Sequence, residues 1–345
     1  MKLAVLTAGG DCPGLNAAIR ALVLAAHTDG NQVVGVGHGF SGLVEPDLKH
    51  LGPEEVDGTI AQGGTILGAS SFDPFREEAV DAVRETIERE ALEAVIVIGG
   101  EHSMEVARRL EAEHGLPTVG VPKTIDNDVV GTDLTFGFDT AVQIATEAID
   151  RLHTTAESHD RVMVVEVMGR NSGWIALWSA LAAGADVVLI PEVQRTVPDL
   201  IETITRRHES GKDFSIVVVA EGATLHTAPG VGERVTISAD GDHYGYERLG
   251  GIAVELARLL DTGTGFEVRA TILGHVQRGG SPTATDRVLA TRLGNTAYEA
   301  VRSGDFGVMA ALRGAETLLV PLAETSGVKR VNPEMVSLAD RLGIV

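Results

Sequence analysis

Leu3-Ala4-Val5-Leu6 runs through Thr7-Ala8 into Gly9-Gly10-Asp11-Cys12-Pro13-Gly14, and a helical pattern follows from Asn16 to Ala26. A short apolar run closed by glycines reads as a buried strand. Strand, glycine loop and helix in this order form a cradle for phosphate, because the loop's backbone N–H groups point at the anion. It is not a P-loop, since no Gly-Lys-Ser/Thr follows. Taken alone it also reads as a tight strand-to-helix turn. The same unit returns at Ala94 to Ile98, with Gly99-Gly100-Glu101-His102-Ser103 behind it and a helix through Leu110. Two such loops at strand carboxyl ends can face one ligand across the crevice of a sheet. An acid beside a phosphate cradle is where Mg²⁺ would be held.

Outward from these units the pattern continues. Strands are expected at Gln32–Val36, Thr118–Val121, Arg161–Val167, Asp186–Ile190, Ser215–Ala220, Val268–Leu273 and Thr317–Pro321. Helices are expected at Arg76–Glu90, Ala141–Leu152, Trp174–Ala182, Pro198–Arg207, Glu247–Leu260 and Thr285–Val301. Ala223 to His243 is polar and glycine-rich and reads as a surface loop or hairpin. This alternation predicts an α/β fold, doubly wound, with mainly parallel sheets. Gly37-His38-Gly39-Phe40-Ser41-Gly42 matches GxGxxG, but it follows the second strand and Leu43-Val44-Glu45-Pro46 opens no helix, so it is not read as a dinucleotide site.

The chemistry concentrates at Pro122-Lys123-Thr124-Ile125-Asp126-Asn127-Asp128. Pro122 has no N–H for a ladder and should end its strand. In extended backbone Asp126 and Asp128 project to the same side. Two carboxylates, the Thr124 hydroxyl and the Lys123 amine at a strand's carboxyl end suit proton transfer and phosphate chemistry. The competing reading is an Asx-turn beside a solvated lysine.

The totals limit the partners. The 345 residues allow two domains, and 49 acids against 28 bases give a net charge of −21. That argues against nucleic acid or an anionic membrane as the main partner, while a locally basic site can still take a small anion. Cys12 is the single cysteine, so no internal disulfide is possible, and a packing role outweighs a reactive thiol. No apolar run approaches the roughly 20 residues of a membrane span. Met1 to Val5 opens a strand directly, without a signal-peptide pattern, so a cytoplasmic location is expected.

Taken together, Gly9-Gly10-Asp11, Gly99-Gly100-Glu101, Pro122 to Asp128, Met168-Gly169-Arg170 and Gly274-His275-Val276-Gln277-Arg278-Gly279-Gly280 resemble the phosphofructokinase family, in its actinobacterial-like group of ATP and pyrophosphate users. The likeness runs in order from about Leu3 to Leu319. It implies two doubly wound three-layer domains with the active site in the cleft between them. Residues 1–137 with 277–327 would form the donor domain, and 138–276 with 328–345 the sugar-phosphate domain. It also implies Mg²⁺-dependent phosphorylation of the 1-hydroxyl of fructose 6-phosphate by ATP or pyrophosphate, in a homodimer or homotetramer. On this likeness Asp126 takes the proton from the hydroxyl, while Thr124 and Asp128 flank the reacting oxygen, with Asp128 also near the metal. Arg170 neutralises the transferring phosphoryl group. Gly10, Glu101, His102, Ser103 and Lys123 meet the donor, with Glu101 at the metal. Met168, Gly169 and Glu221 hold the sugar. His275 and Arg278 hold the 6-phosphate, joined by Arg161 and Arg269 from a neighbouring subunit.

Several positions depart from the pattern. Glu101 stands where the family has aspartate, one methylene shorter. His102 stands where a glycine leaves room for the α-phosphate of ATP and an aspartate accompanies pyrophosphate use. Ser71 replaces an arginine near the donor phosphates; Lys123 or another group would compensate, Arg76 being the nearest arginine, or else the enzyme is slow or uses different substrates. Arg20 is kept in the effector region, but Leu24 and His153 replace arginines, so weak or absent nucleotide regulation is expected. Two alternatives accompany the main reading: the same chemistry on another sugar phosphate such as sedoheptulose 7-phosphate, and a catalytically silent sugar-phosphate-binding paralogue.

Overall fold

The apolar run at the amino end is a central strand. In the computed structural model, which describes residues 1–228, 230–238 and 248–345, β1 (Lys2–Thr7) has Leu3 to Leu6 wholly buried. After it come α1 (Leu15–Thr28), β2 (Gln32–Val36), α2 (Ser41–Val44), β3 (Leu48–Leu51), α3 (Val80–Arg89), β4 (Ala94–Gly99), α4 (Glu101–His114), β5 (Thr118–Pro122) and α5 (Phe138–Ser158). Next are β6 (Val162–Val167), α6 (Trp174–Ala183), β7 (Val187–Leu189), α7 (Val197–Glu209), β8 (Ser215–Ala220), the hairpin strands β9 (Thr224–Ala228) and β10 (Val231–Arg234), then β11 (Thr236–Ser238) and β12 (Arg248–Leu249). The chain continues through α8 (Ile252–Thr264), β13 (Val268–Ile272), α9 (Ala284–Ser303), β14 (Val308–Arg313), β15 (Glu316–Pro321) and α10 (Pro333–Arg341). Among the described residues no helix is long and apolar enough to cross a membrane. The chain divides into two compact units, Met1–Thr140 with Arg278–Val328, and Ala141–Gln277 with Lys329–Val345.

The first unit is built on a seven-stranded sheet of order β15-β14-β5-β4-β1-β2-β3. Its interior pairs are parallel, and only the edge strands β3 and β15 run antiparallel to their neighbours. β2 lies on one side of β1 and β4 on the other, so the winding reverses between β1 and β4. In open α/β sheets the crevice for a ligand lies outside the strand carboxyl ends at such a reversal. α1 turns Leu15, Ile19, Leu22, Val23 and Ala26 inward at helical spacing. Val36, Phe40, Val97, Met104 and Met309 belong to the unit's core.

The second unit has a four-stranded parallel sheet of order β13-β6-β8-β7. β6 and β8 are buried at every position, which is why both read as nearly unbroken apolar runs. The exception is Glu166 in β6, 3% exposed. Its two oxygens accept from the N–H groups of Gly251 and Ala253, each at 3.0 Å. They close the amino end of α8, where Gly251 supplies no side-chain cap.

Some boundaries differ from the sequence reading. α3 starts at Val80 and not at Arg76, because Glu78 has φ +51° and the preceding residues are spent in turns anchored on Asp73 and Pro74. α8 starts at Ile252; Gly250 and Gly251, at φ +138° and +84°, keep the helix from reaching further back. Glu247, where that helix was expected to begin, lies outside the described residues, as do residues 229 and 239–243 of the expected loop. The described part of that loop contains the β9–β10 hairpin. One helical turn, α2, does form, starting inside the Gly37–Gly42 stretch at Ser41 and ending at Val44 ahead of Pro46. Trp174 is buried, with its indole N–H donating to the Lys329 carbonyl at 3.0 Å.

Asp286, in the first turn of α9, is 1% exposed. One of its carboxylate oxygens accepts from the Thr140 backbone N–H at 2.8 Å and from the Thr140 hydroxyl at 2.5 Å. Burial pushes its pKa from 3.8 to about 6 despite these bonds. A native pKa above the unfolded one favours folding when the group is protonated, and that contribution is lost as pH rises. Wild type should therefore lose on the order of 3 kcal/mol from this group between about pH 4 and pH 6. Thermal melts across that range, compared with Asp286→Asn, should show the slope in wild type and a flatter profile in the variant. Equal slopes would remove Asp286 from the pH dependence.

Candidate active site

The carboxyl ends of β1, β4 and β5 lie side by side. Ala8 N–H donates to Ile98 O at 2.9 Å, and Lys123 N–H to Gly99 O at 2.8 Å. The two glycine loops and the start of the Pro122–Asp128 stretch therefore meet where the sheet reverses. Lys123 is 3% exposed, and its ammonium donates to the Gly10 carbonyl, so the solvated lysine of the alternative reading is excluded. Burial pushes its pKa down; the Arg278 charge acts the same way, and the carboxylates of Asp11 and Asp126 oppose it. Arg278 reaches the same loop from after β13: a Cβ on Gly10 would lie 1.8 Å from its Nη1. A side chain at position 10 would displace the guanidinium from this place. The Arg278 Nε is buried and has no hydrogen-bond partner among the described residues. Cys12, 1% exposed, packs beneath the loop with its thiol toward the Phe136 carbonyl, and burial pushes its pKa up. That is the packing role expected of it.

Beyond Pro122 the chain turns. Asn127 has φ +51°, so the same-side argument from extended backbone does not hold. The turn is made by the Thr124 hydroxyl, which accepts from Asp126 N–H at 3.1 Å. Asn127 is wholly buried and accepts from Thr135 N–H at 3.0 Å, while the Thr135 hydroxyl donates to Thr124 O at 2.7 Å. Thr124, Asp126 and Asp128 are half-buried, and Ile125 and Asn127 between them, with Val129 after them, are buried. The alternation survives by anchoring every second residue, not by pleating. Asn127 and Thr135 have no role in the sequence motif as read above; an asparagine between two acids suits a left-handed turn.

Glu101, His102 and Ser103 open α4 behind Gly100. Ser103 is buried against Gly99, where a Cβ would fall 2.3 Å from its own. Glu101 is half-buried, and burial raises its pKa. It lines a cavity of about 410 Å³ with Glu105, Arg108, Ala323, Thr325 and Ser326. His102 Nε2 lies 2.9 Å from Asp73 Oδ2. Arg76, the candidate replacement for the arginine missing at Ser71, pairs with the same Asp73 oxygen at 3.7 Å.

In the second unit, Met168, Gly169 and Arg170 follow β6, Glu221 follows β8 and His275 follows β13. Glu221 N–H donates to Val167 O at 2.9 Å, and Leu273 N–H to Glu166 O at 3.0 Å. Gln277, wholly buried, accepts from Met168 N–H at 3.3 Å and donates to Gly274 O at 3.0 Å. It ties the end of β13 to the end of β6, a positioning role the motif alone did not reveal. A Cβ on Gly222 would lie 1.9 Å from the Arg170 carbonyl, so that glycine lets the Arg170 loop pass close by. His275 and Arg278 fall in different units. Arg161 and Arg269 sit toward the amino ends of β6 and β13, and both pair with Glu267, Arg161 at 2.8 Å. β6 separates Arg161 from Met168 by about 20 Å of strand. Within one chain these arginines therefore do not join Met168, Gly169 and Arg170.

A family model described as "Phosphofructokinase" matches residues 2–301. The chain belongs to the phosphofructokinase family. An "ATP-dependent 6-phosphofructokinase 3" of Streptomyces coelicolor is 52% identical over 326 residues, covering 94% of each chain. A "Pyrophosphate--fructose 6-phosphate 1-phosphotransferase" of Amycolatopsis methanolica is 51% identical over 346 residues, covering 99% of each. Among solved structures, a phosphofructokinase from Saccharomyces cerevisiae superposes with TM-score 0.79 and 31% identity over 99% of this chain. The present chain spans 46% of that yeast chain's length.

Proposed function

We propose that this chain is a 6-phosphofructokinase, transferring a phosphoryl group from pyrophosphate or ATP to the 1-hydroxyl of fructose 6-phosphate. The observation that carries this reading is the pair of cations at Gly10. Lys123 is buried against its carbonyl, Arg278 lies against its Cα, and the Arg278 Nε has no partner among the described residues. Such a loop, at the reversal of a parallel sheet, suits phosphate: that of the donor at Lys123 and that of the sugar at Arg278. Relatives at 52% and 51% identity carry the names of an ATP enzyme and a pyrophosphate enzyme, so the donor is a question for this chain's own residues.

In this reading Asp126 accepts the hydroxyl proton, Thr124 and Asp128 flank the oxygen, and Arg170 stabilises the charge on the transferring group. Gly10, Glu101, His102, Ser103 and Lys123 face the donor. Met168, Gly169, Glu221 and His275 face the sugar phosphate, together with Arg278. Arg161 and Arg269 serve a neighbouring copy in a homodimer or homotetramer; their place at the far end of β6 and β13 from Met168 supports this. Glu101 fits Mg²⁺: a half-buried carboxylate whose pKa is raised by burial is relieved by a hard cation. A Mg²⁺ held by Glu101 would supply positive charge against the phosphates of the donor.

The test is a coupled assay for fructose 1,6-bisphosphate with Mg²⁺, fructose 6-phosphate and either donor at matched concentration. Turnover with at least one donor is expected. Silence with both, under conditions where sedoheptulose 7-phosphate is turned over, would move the assignment to that acceptor.

A further inference from the structure

The residue at position 102 has a partner. Asp73 sits in the loop between β3 and α3, 7% exposed, and one of its oxygens accepts from His102 Nε2 at 2.9 Å. The same oxygen meets Arg76 Nε at 3.7 Å. The other oxygen accepts from Phe75 N–H at 2.9 Å, an Asx-turn that fixes the carboxylate's direction. The loop carrying Asp73 is itself anchored to the glycine loop: Gly9 N–H donates to Ser70 O at 2.9 Å, and Ala8 bridges Ser70. The Asp73 carboxylate thus binds a side chain in the first turn of α4 to the wall that leads from the glycine loop.

We propose that Asp73 is a positioning residue for the phosphoryl donor: by holding the His102 ring it makes the pair, and not His102 alone, the determinant of which donor is accepted. The inference rests on the donor site proposed above. A ring hydrogen-bonded to a buried, directed carboxylate keeps one tautomer and one orientation. It forms a fixed wall beside Glu101 and Ser103, where a free imidazole would turn out of the way of a bulky donor. A fixed wall admits a compact diphosphate more readily than a donor carrying a nucleoside. Arg76, drawn to the same carboxylate, stiffens that wall and does not restore the cation lost at Ser71.

The test uses the full-length protein and two non-hydrolysable donors, imidodiphosphate and adenylyl imidodiphosphate, titrated by calorimetry in the presence of Mg²⁺. Asp73→Ser keeps an oxygen for the Phe75 N–H but is too short for the imidazole. It should shift the affinity ratio toward the nucleotide by about tenfold, the size of one hydrogen bond to a charged group. His102→Gly should shift it the same way, and adding Asp73→Ser to His102→Gly should change the ratio no further. His102→Phe, a ring that cannot reach for the carboxylate, should move in the direction of Asp73→Ser, and it serves if the Asp73 variant fails to fold. An unchanged ratio in Asp73→Ser, an additive double variant, or a wild-type ratio in His102→Phe would each overturn the proposal. Binding of neither analogue by wild type overturns it together with the donor site. Binding of the analogues without turnover on fructose 6-phosphate overturns the assigned reaction and leaves the role of Asp73 standing.

Discussion

Asp126→Asn should lower turnover by about 10²–10⁴-fold while leaving the dissociation constant for fructose 6-phosphate within about threefold of wild type. The substitution is isosteric and keeps the backbone N–H that the Thr124 hydroxyl accepts at 3.1 Å, so the turn should hold. The neighbours that set its direction, Ile125 and Asn127, are buried and untouched. What is lost is the carboxylate's ability to take a proton from the attacking hydroxyl. Steady-state kinetics with the preferred donor, paired with sugar-phosphate titration, separates the two. Turnover near the wild-type level would remove Asp126 from the role of base, and loss of sugar binding with unchanged turnover at saturation would make it a binding residue only.

Lys123→Met should lower turnover by about 10²–10³-fold, as expected for removal of one preorganised cationic donor from a site shielded from water. Methionine fills a similar volume, which suits a side chain that is 3% exposed. The Gly10 carbonyl loses its ammonium partner, and the carboxylates of Asp11 and Asp126 lose the positive charge that balances them. The donor should bind more weakly, whereas the sugar phosphate should bind as before. A variant that melts near the wild-type temperature and keeps wild-type kinetics would reduce Lys123 to a structural bond across the loop.

Much of this was legible in the chain alone, and the reason is local. Leu3–Leu6, Ala94–Ile98 and Ser215–Ala220 are continuous apolar runs because both faces of a parallel strand are covered, and each is found as a strand. The glycine pairs behind the first two mark where a strand must stop and a backbone must approach something closely. The packing role of Cys12 and the strand end at Pro122 follow from the same local rules. Helical spacing runs on through positions held at positive φ, Glu78 ahead of Val80 and Gly250 with Gly251 ahead of Ile252, so spacing alone does not place the starts of α3 and α8. β14 escaped notice, and its strand Val308–Arg313 sits between two partners that only the fold supplies.

By itself, then, the sequence determined the α/β alternation, the strand ends that carry glycine, acid and arginine, and membership of the phosphofructokinase family, because these depend on residue type, spacing and order. Tertiary structure alone decided that Lys123 is buried on Gly10, that Arg278 belongs beside it, that Gln277 ties β13 to β6, and that Asp73 holds His102. Each of these joins residues far apart in the chain, and no periodicity records such a pairing. Whether a lysine is solvated or a histidine fixed depends on what the folded sheet brings within 3 Å of it, and a hydrogen bond at that range turns a side chain into a directed group.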